Sequence, residues 1–210
     1  MASITIPDNV TSIGEAAFYY CEGLTNIVIP DNVTGIGEFA FAQCSTLTSI
    51  TIPENVTCIE KGTFDQCIGL KCVTFGKRLT SIGERAFDGC DDLSDVYYGG
   101  TKIDRTKIEI NECYGGVIDE THNGNAPLIN ATWHYQPIDY SSYSTLILPA
   151  DLKVISAAAF SGTAAELIVI PASVTSVAAD AFDNCPNLQY IVNCSDVTIT
   201  APNGVIVIGE

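Results

Sequence analysis

The chain has 210 residues, 47% of them hydrophobic and 16% charged, against about 25% charged in an ordinary domain, so disorder is excluded and a well-filled fold is expected. Nine Lys and Arg against 25 Asp and Glu leave a formal charge of −16, which repels phosphate backbones and anionic lipid and argues against a nucleic-acid partner. No apolar run is long enough for a membrane-spanning helix, so no membrane insertion is expected.

From the first residues onward, side chains recur every 23 positions. Phe18, Phe41, Phe64 and Phe87 keep that step, as do Cys21, Cys44, Cys67 and Cys90, and Ile13, Ile36, Ile59 and Ile82. A fixed period of about 20 to 50 residues is the signature of stacked repeats. Within one unit Ile27-Val28-Ile29 reads as a short strand, with Ile27 and Ile29 on one face and Asn26 and Val28 on the other. Pro7, Pro30 and Pro53 close successive strands, because proline cannot donate to a ladder and Pro-Asp-Asn favours a turn. Ser12-Ile13-Gly14-Glu15 and Ser81-Ile82-Gly83-Glu84 then have the spacing of a capping box, which predicts a brief helical segment carrying Ala17 and Phe18 inward. One coil cannot bury its own apolar side, so stability must come from neighbours that stack like residues in columns.

From residue 99 the period is lost. Gly99-Gly100, Gly115-Gly116 and Asn123-Gly124-Asn125 are turn signals, and residues 107–110 and 129–135 read as strands, so 99–137 is expected to be a small β-rich insertion. The repeat resumes with a step of 22, from Pro149 to Pro171 and Phe160 to Phe182. Asn193 falls where an inward apolar residue is due, which predicts a closing core with 197–208 as a capping strand or hairpin. The expected organisation is one array over 1–98, the insertion over 99–137, and a second array with its cap over 138–210.

The stretch from Leu24 through Ile27, Pro30, Val33, Ile36 and Phe41 to Cys44, and its neighbour from Leu47 to Cys67, resemble the BspA-like leucine-rich repeats of bacterial surface proteins and some parasitic protists. The resemblance covers residues 3–98 and 145–193, roughly seven coils in two arrays. It implies a solenoid: a right-handed leucine-rich repeat coil of short parallel strands and short helical or 3-10 segments, interrupted by the insertion. It also implies a secreted or cell-surface location, with a host or matrix protein as partner. Tyr97-Tyr98-Gly99-Gly100-Thr101 and Asn130-Ala131-Thr132-Trp133-His134-Tyr135 look like a module that interrupts such repeats, with Thr106 where that module usually has Trp. Met1-Ala2-Ser3 enters a repeat directly with no signal-peptide pattern. The expectation is a monomeric fragment or mature segment whose export signal lies outside it.

No catalytic, cofactor or metal site is expected. Nine cysteines would suggest disulfides if position were ignored, but four form one inward column where Cys acts as a small buried hydrophobe, so reduced thiols are expected there. Cys72, on an outward strand position, is the thiol expected to be exposed. Acidic columns such as Asp8, Asp31 and Glu54 are turn positions multiplied by the period before they are a cation site or an acid–base pair. Cys113, His122 and His134 match no zinc ligand frame. No Gly-x-Ser-x-Gly, phosphate loop or His-Glu-x-x-His is present.

Binding is better motivated, because the outward residues of successive strands form one sheet face. Val28, Thr51, Thr74 and Tyr97 in the first array, and Ile147, Leu167, Val169 and Tyr190 in the second, are the expected partner-binding residues. The second set is an apolar strip that marks an interface unless the insertion or flanking residues cover it. The reading is a non-enzymatic adhesion or protein-interaction module. The alternatives are a structural spacer in a larger surface protein and a polysaccharide-binding accessory, which would need aromatics in a row.

Overall fold

The computed structural model describes residues 2–111, 124–136 and 143–209. They fall into two compact units, Met1–Pro137 and Ile138–Glu210, each a coil of short parallel strands. In the first unit one face carries β1 (Ala2–Thr5), β3 (Leu24–Val28), β5 (Ser49–Thr51), β7 (Cys72–Phe75) and β9 (Asp95–Tyr98). A second face carries the two-residue strands β2 (Ser12–Ile13), β4 (Gly35–Ile36), β6 (Cys58–Ile59) and β8 (Ser81–Ile82). The pairing is parallel and keeps the repeat phase, with Ile4 opposite Ile27, Ile50 opposite Val73 and Val73 opposite Val96. Prolines turn the chain between the faces: the carbonyls of Pro7, Pro30 and Pro53 accept from the N–H of Val10, Val33 and Val56 at 3.0, 3.0 and 3.1 Å.

The columns lie over one another as the period requires. Phe18, Phe41, Phe64 and Phe87 stack with ring centroids 5.2, 5.6 and 5.1 Å apart, and the last three are fully buried. Beside them each thiol donates to a phenylalanine carbonyl of the preceding coil: Cys44 to Phe18, Cys67 to Phe41 and Cys90 to Phe64, at 3.2, 3.1 and 3.1 Å. Cys21, Cys44, Cys67 and Cys90 of this column are all free thiols. Burial pushes the Cys44 thiol up to about 11 and raises Cys67 and Cys90 further in the same direction, so these thiols stay protonated and inert at neutral pH.

The expected helical segment is replaced by a ladder of turns. Alternate amides bond to the next coil and within their own turn: Phe41 N–H to Thr63 O at 2.9 Å, Ala42 to Phe39 at 3.0 Å, Gln43 to Asp65 at 2.7 Å, Cys44 to Phe41 at 3.2 Å. A helix would keep those donors within one coil and leave the coils unlinked on this side. The ladder requires a left-handed residue at two phases, occupied by Ala16 and Tyr20, Phe39 and Gln43, Gly62 and Gln66, and Arg85 and Gly89. Six of these eight carry a side chain, at a cost of about 1–2 kcal/mol each that stacking must outweigh. At the end of the stack Ala17 is exposed, whereas Ala40 and Ala86 in the same column are fully buried.

The residues read as an insertion lie in the same unit as the first array and extend both of its strand faces. Helix α1 (Lys102–Arg105) starts at a capping box, in which Thr101 Oγ1 accepts from Asp104 N–H while the Asp104 carboxylate accepts from Thr101 N–H. Strand β10 (Glu109–Ile110) then pairs with β8, and β11 (Thr132–His134) pairs with β9, both parallel. Ile129 and Asn130, read as strand, belong instead to the short helix α2 (Ala126–Asn130), where Pro127 sits in the first turn, a position that tolerates its missing donor. Trp133 pairs with Val96 and packs half-buried on the end of the core, donating to Leu128 O at 3.0 Å.

Two buried polar residues fasten this segment. Asn125 takes the place of a backbone partner in the turn ladder: its Oδ1 accepts from Phe87 N–H at 3.1 Å, and its Nδ2 donates to Gly83 O and Asn111 O at 2.9 and 2.6 Å. Asp88 accepts from Gly124 N–H at 3.2 Å and from Arg85 Nε at 2.9 Å.

The second unit repeats the plan with β12 (Thr145–Ile147), β14 (Leu167–Ile170), β16 (Tyr190–Asn193) and β17 (Ile206–Gly209) in one parallel sheet and β13 (Val154–Ile155) with β15 (Ser176–Val177) in another. Phe160 stacks on Phe182 at 5.3 Å, and Cys185 donates to Phe160 O at 3.2 Å. The expected cap is a further parallel strand rather than a hairpin. Asn193, inward and buried, is satisfied by Val197 O at 2.8 Å and by Ser195 N–H and Oγ at 3.1 and 2.6 Å.

Candidate functional site

The outward face of the first unit's strand sheet brings together Thr51, Thr74, Tyr97 and His134, which the parallel register places side by side on β5, β7, β9 and β11. Val28 holds the same phase on β3 and is 60% exposed; Tyr97 is 46% exposed. Thr74 is half-buried and Thr51 exposed. The four first-array residues expected at an interface therefore stand in one row.

A groove of about 400 Å³ runs along this row, lined among others by Thr51, Glu54, Thr74, Gly76, Tyr97 and His134. It opens where the repeat changes. The strand-closing position held by Pro30 and Pro53 is taken by Gly76 and Gly99 in the next two coils, so no ring fills that corner. A Cβ at Gly76 would stand 2.6 Å from both Glu54 Cα and Glu54 Oε2. Only glycine lets the Glu54 carboxylate fold back over the turn to accept from Lys77 N–H at 3.0 Å. The acidic wall of the groove is thus set by the missing side chain.

The far end is aromatic. The Tyr97 and His134 rings stack 4.4 Å apart, 15° from parallel, and His134 Nε2 meets Asp95 Oδ1 at 2.8 Å. Hydrogen bonds from His134 and Ser94 hold the Asp95 carboxyl below its usual range. Cys72 is half-buried between coils, and burial together with the Asp95 charge raises its thiol, the opposite of what an activated nucleophile needs. Among the described residues no group of three His, Cys, Asp or Glu side chains could hold a metal ion; Cys113 and His122 lie outside those residues.

The second unit treats its outward face differently. Ile147 is 61% exposed, but Leu167, Val169 and Tyr190 are 0%, 8% and 7% exposed, so the expected apolar strip is not an open surface. The physical reason is the cost of leaving it wet, about 25 cal/mol per Å² of apolar area. Tyr143 supplies part of the cover, standing edge-on to Tyr190 with centroids 5.6 Å apart.

Sequence reasoning missed His134 as a member of the face, because the chain between β10 and α2 is longer than one period allows and hides its phase with Tyr97. Glu54 reads there only as a turn position of an acidic column, not as the wall of a groove. The signal that could have found the groove is the change from proline to glycine at positions 76 and 99.

The family pattern that matches is the BspA type leucine rich repeat region, in six copies over residues 1–110 and 138–210. The chain belongs to the BspA-type leucine-rich repeat family. A comparison with the curated proteins finds no match. Among solved structures, this BspA-type chain is similar to a leucine-rich repeat protein from Bacteroides ovatus, at 24% identity and a TM-score of 0.49 over 99% of this chain and 71% of that one. It is similar to the leucine-rich repeat protein of T. pallidum at 21% identity and a TM-score of 0.48, over 89% and 78% of the two chains. A leucine-rich cell surface protein from Faecalibacterium prausnitzii matches at 28% identity and a TM-score of 0.33, over 91% and 60%. Among the described residues no helix is long and apolar enough to cross a membrane.

Proposed function

We propose that this chain is a non-enzymatic binding module of a secreted or cell-surface protein, and that it engages a protein partner through the outward strand face of its first unit. The observation that carries the reading is the in-register row of Thr51, Thr74, Tyr97 and His134 beside an open groove. Repeat coils offer such an ordered face as their usual binding surface. The surface location rests on the family resemblance of the repeats. A polysaccharide would need open aromatic faces in a row, whereas Tyr97 lays one face on His134. Phage selection of random peptides against the whole chain tests the reading. The enriched peptides are expected to lose binding to Thr74→Trp, which fills the row; equal binding to that variant and the parent would overturn it, as would the absence of any enriched peptide.

A further inference from the structure

We propose that the groove takes an extended polypeptide segment bearing lysine or arginine, whose cation lies between the Glu54 carboxylate and the ring of Tyr97. This rests on the protein-binding reading of the face and names the chemistry of its partner.

Four observations converge on a cation. Glu54 and Asp31 both line the groove, and no lysine or arginine does so among the described residues. The Glu54 carboxylate is fixed in advance, because the room over Gly76 lets one of its oxygens rest on the Lys77 amide; a partner need not order it on binding. Tyr97, nearly half exposed, presents a ring at the same groove, and a guanidinium or ammonium against a tyrosine is attracted by the ring quadrupole as well as by the carboxylates. The chain as a whole carries −16, which draws a cationic partner in and repels an anionic one.

An extended polypeptide fits better than a compact cation. The groove is open along its length and runs across three coils, from Thr51 through Thr74 to Tyr97. The two threonine hydroxyls offer donors and acceptors to a main chain passing over them, while the acidic wall reads the alternate side chains.

Fluorescence anisotropy with a labelled nonapeptide of alternating arginine and serine, titrated with the whole chain, tests the proposal. Because any polycation is drawn to so acidic a protein, the deciding comparison holds net charge constant. Asp31→Asn with Glu54→Gln is expected to weaken binding at least tenfold, and Asp151→Asn with Asp180→Asn, exposed carboxylates of the second unit, less than twofold. Tyr97→Leu is expected to weaken binding several-fold while leaving charge unchanged. Equal losses from the two charge pairs would overturn the proposal, and so would spermine binding as tightly as the peptide. If a glutamine–serine peptide binds as well as the arginine–serine one and still depends on Thr74, the cation is wrong and the protein-binding face stands. If neither peptide binds and phage selection yields nothing, the face itself is wrong.

Discussion

Replacing Asn125 with alanine should detach the last coil of the first unit while leaving the earlier coils stacked. Asn125 is 1% exposed and makes three hydrogen bonds. Of the partners it leaves, Gly83 O keeps the N–H of Ala86, and Asn111 is exposed enough to take water. The Phe87 N–H has no such recourse, since its residue is fully buried. A buried donor left unpaired costs about 1–3 kcal/mol, and the two lost donations add about 0.5–1.5 kcal/mol each, so a loss of about 2–6 kcal/mol is expected. Trp133 is the only tryptophan of the chain and sits in the segment that Asn125 fastens, so its fluorescence follows the loss of structure in that segment. In urea the variant's fluorescence transition should precede its far-ultraviolet circular dichroism transition, and the Phe87 amide should lose its hydrogen-exchange protection. Asn125→Asp keeps the acceptor but sets a negative charge against two carbonyls, so it should cost at least as much as alanine. A loss under about 1 kcal/mol for alanine, with the two transitions still coincident, would refute the reasoning.

The remaining predictions concern the columns. Cys67→Ala should cost about 1–3 kcal/mol by urea denaturation, from a small cavity and a lost thiol donation. Cys67→Ser should be no better, because the shorter C–O bond leaves the hydroxyl farther from Phe41 O than the 3.1 Å the sulfur spans, beyond the roughly 2.7–2.8 Å such a donor prefers; a serine variant as stable as the parent would contradict this. Stability should also fall in alkali. The folded Cys44 thiol is raised from 9.0 to about 11, so its contribution is complete below pH 9 and is lost as the pH climbs through 11; denaturant midpoints flat across that range would exclude it. Gly62→Ala should cost about 2 kcal/mol from its left-handed backbone and its overlap with the Phe39 ring. Adding Phe39→Ala should then cost less than it does alone, which a double-mutant cycle measures.

The strand faces were legible because their information is linear: a two-residue alternation and a 23-residue step place Ile27, Phe41 and Cys44 without knowledge of anything distant. The turn ladder was not legible. Ser12-x-x-Glu15 satisfies a helix-start pattern locally, but amides bonding to the next coil take the same donors, and left-handed Ala16 or Phe39 carries no mark of it in its identity. Residues 99–136 lost their place because their length breaks the step even though Trp133 and His134 rejoin the sheet in register. The expected second-array surface was misplaced for a different reason. Alternation says that Leu167 and Val169 leave the unit's own core, and says nothing about what then covers them.

The pairing of Phe39 with Gly62 bears on how such a chain can change its number of coils. Duplicated repeats invite unequal recombination, and a 23-residue excision leaves every column in phase. Yet excising the coil that holds Gly62 would set Arg85 directly after Phe39, with a side chain where the ring now lies. Gly89 has the same relation to Gln66, whose amide occupies the space above it. The coils that hold Gly62 and Gly89 are therefore each fitted to the coil before them, and at these two junctions the order of the repeats matters as well as their length.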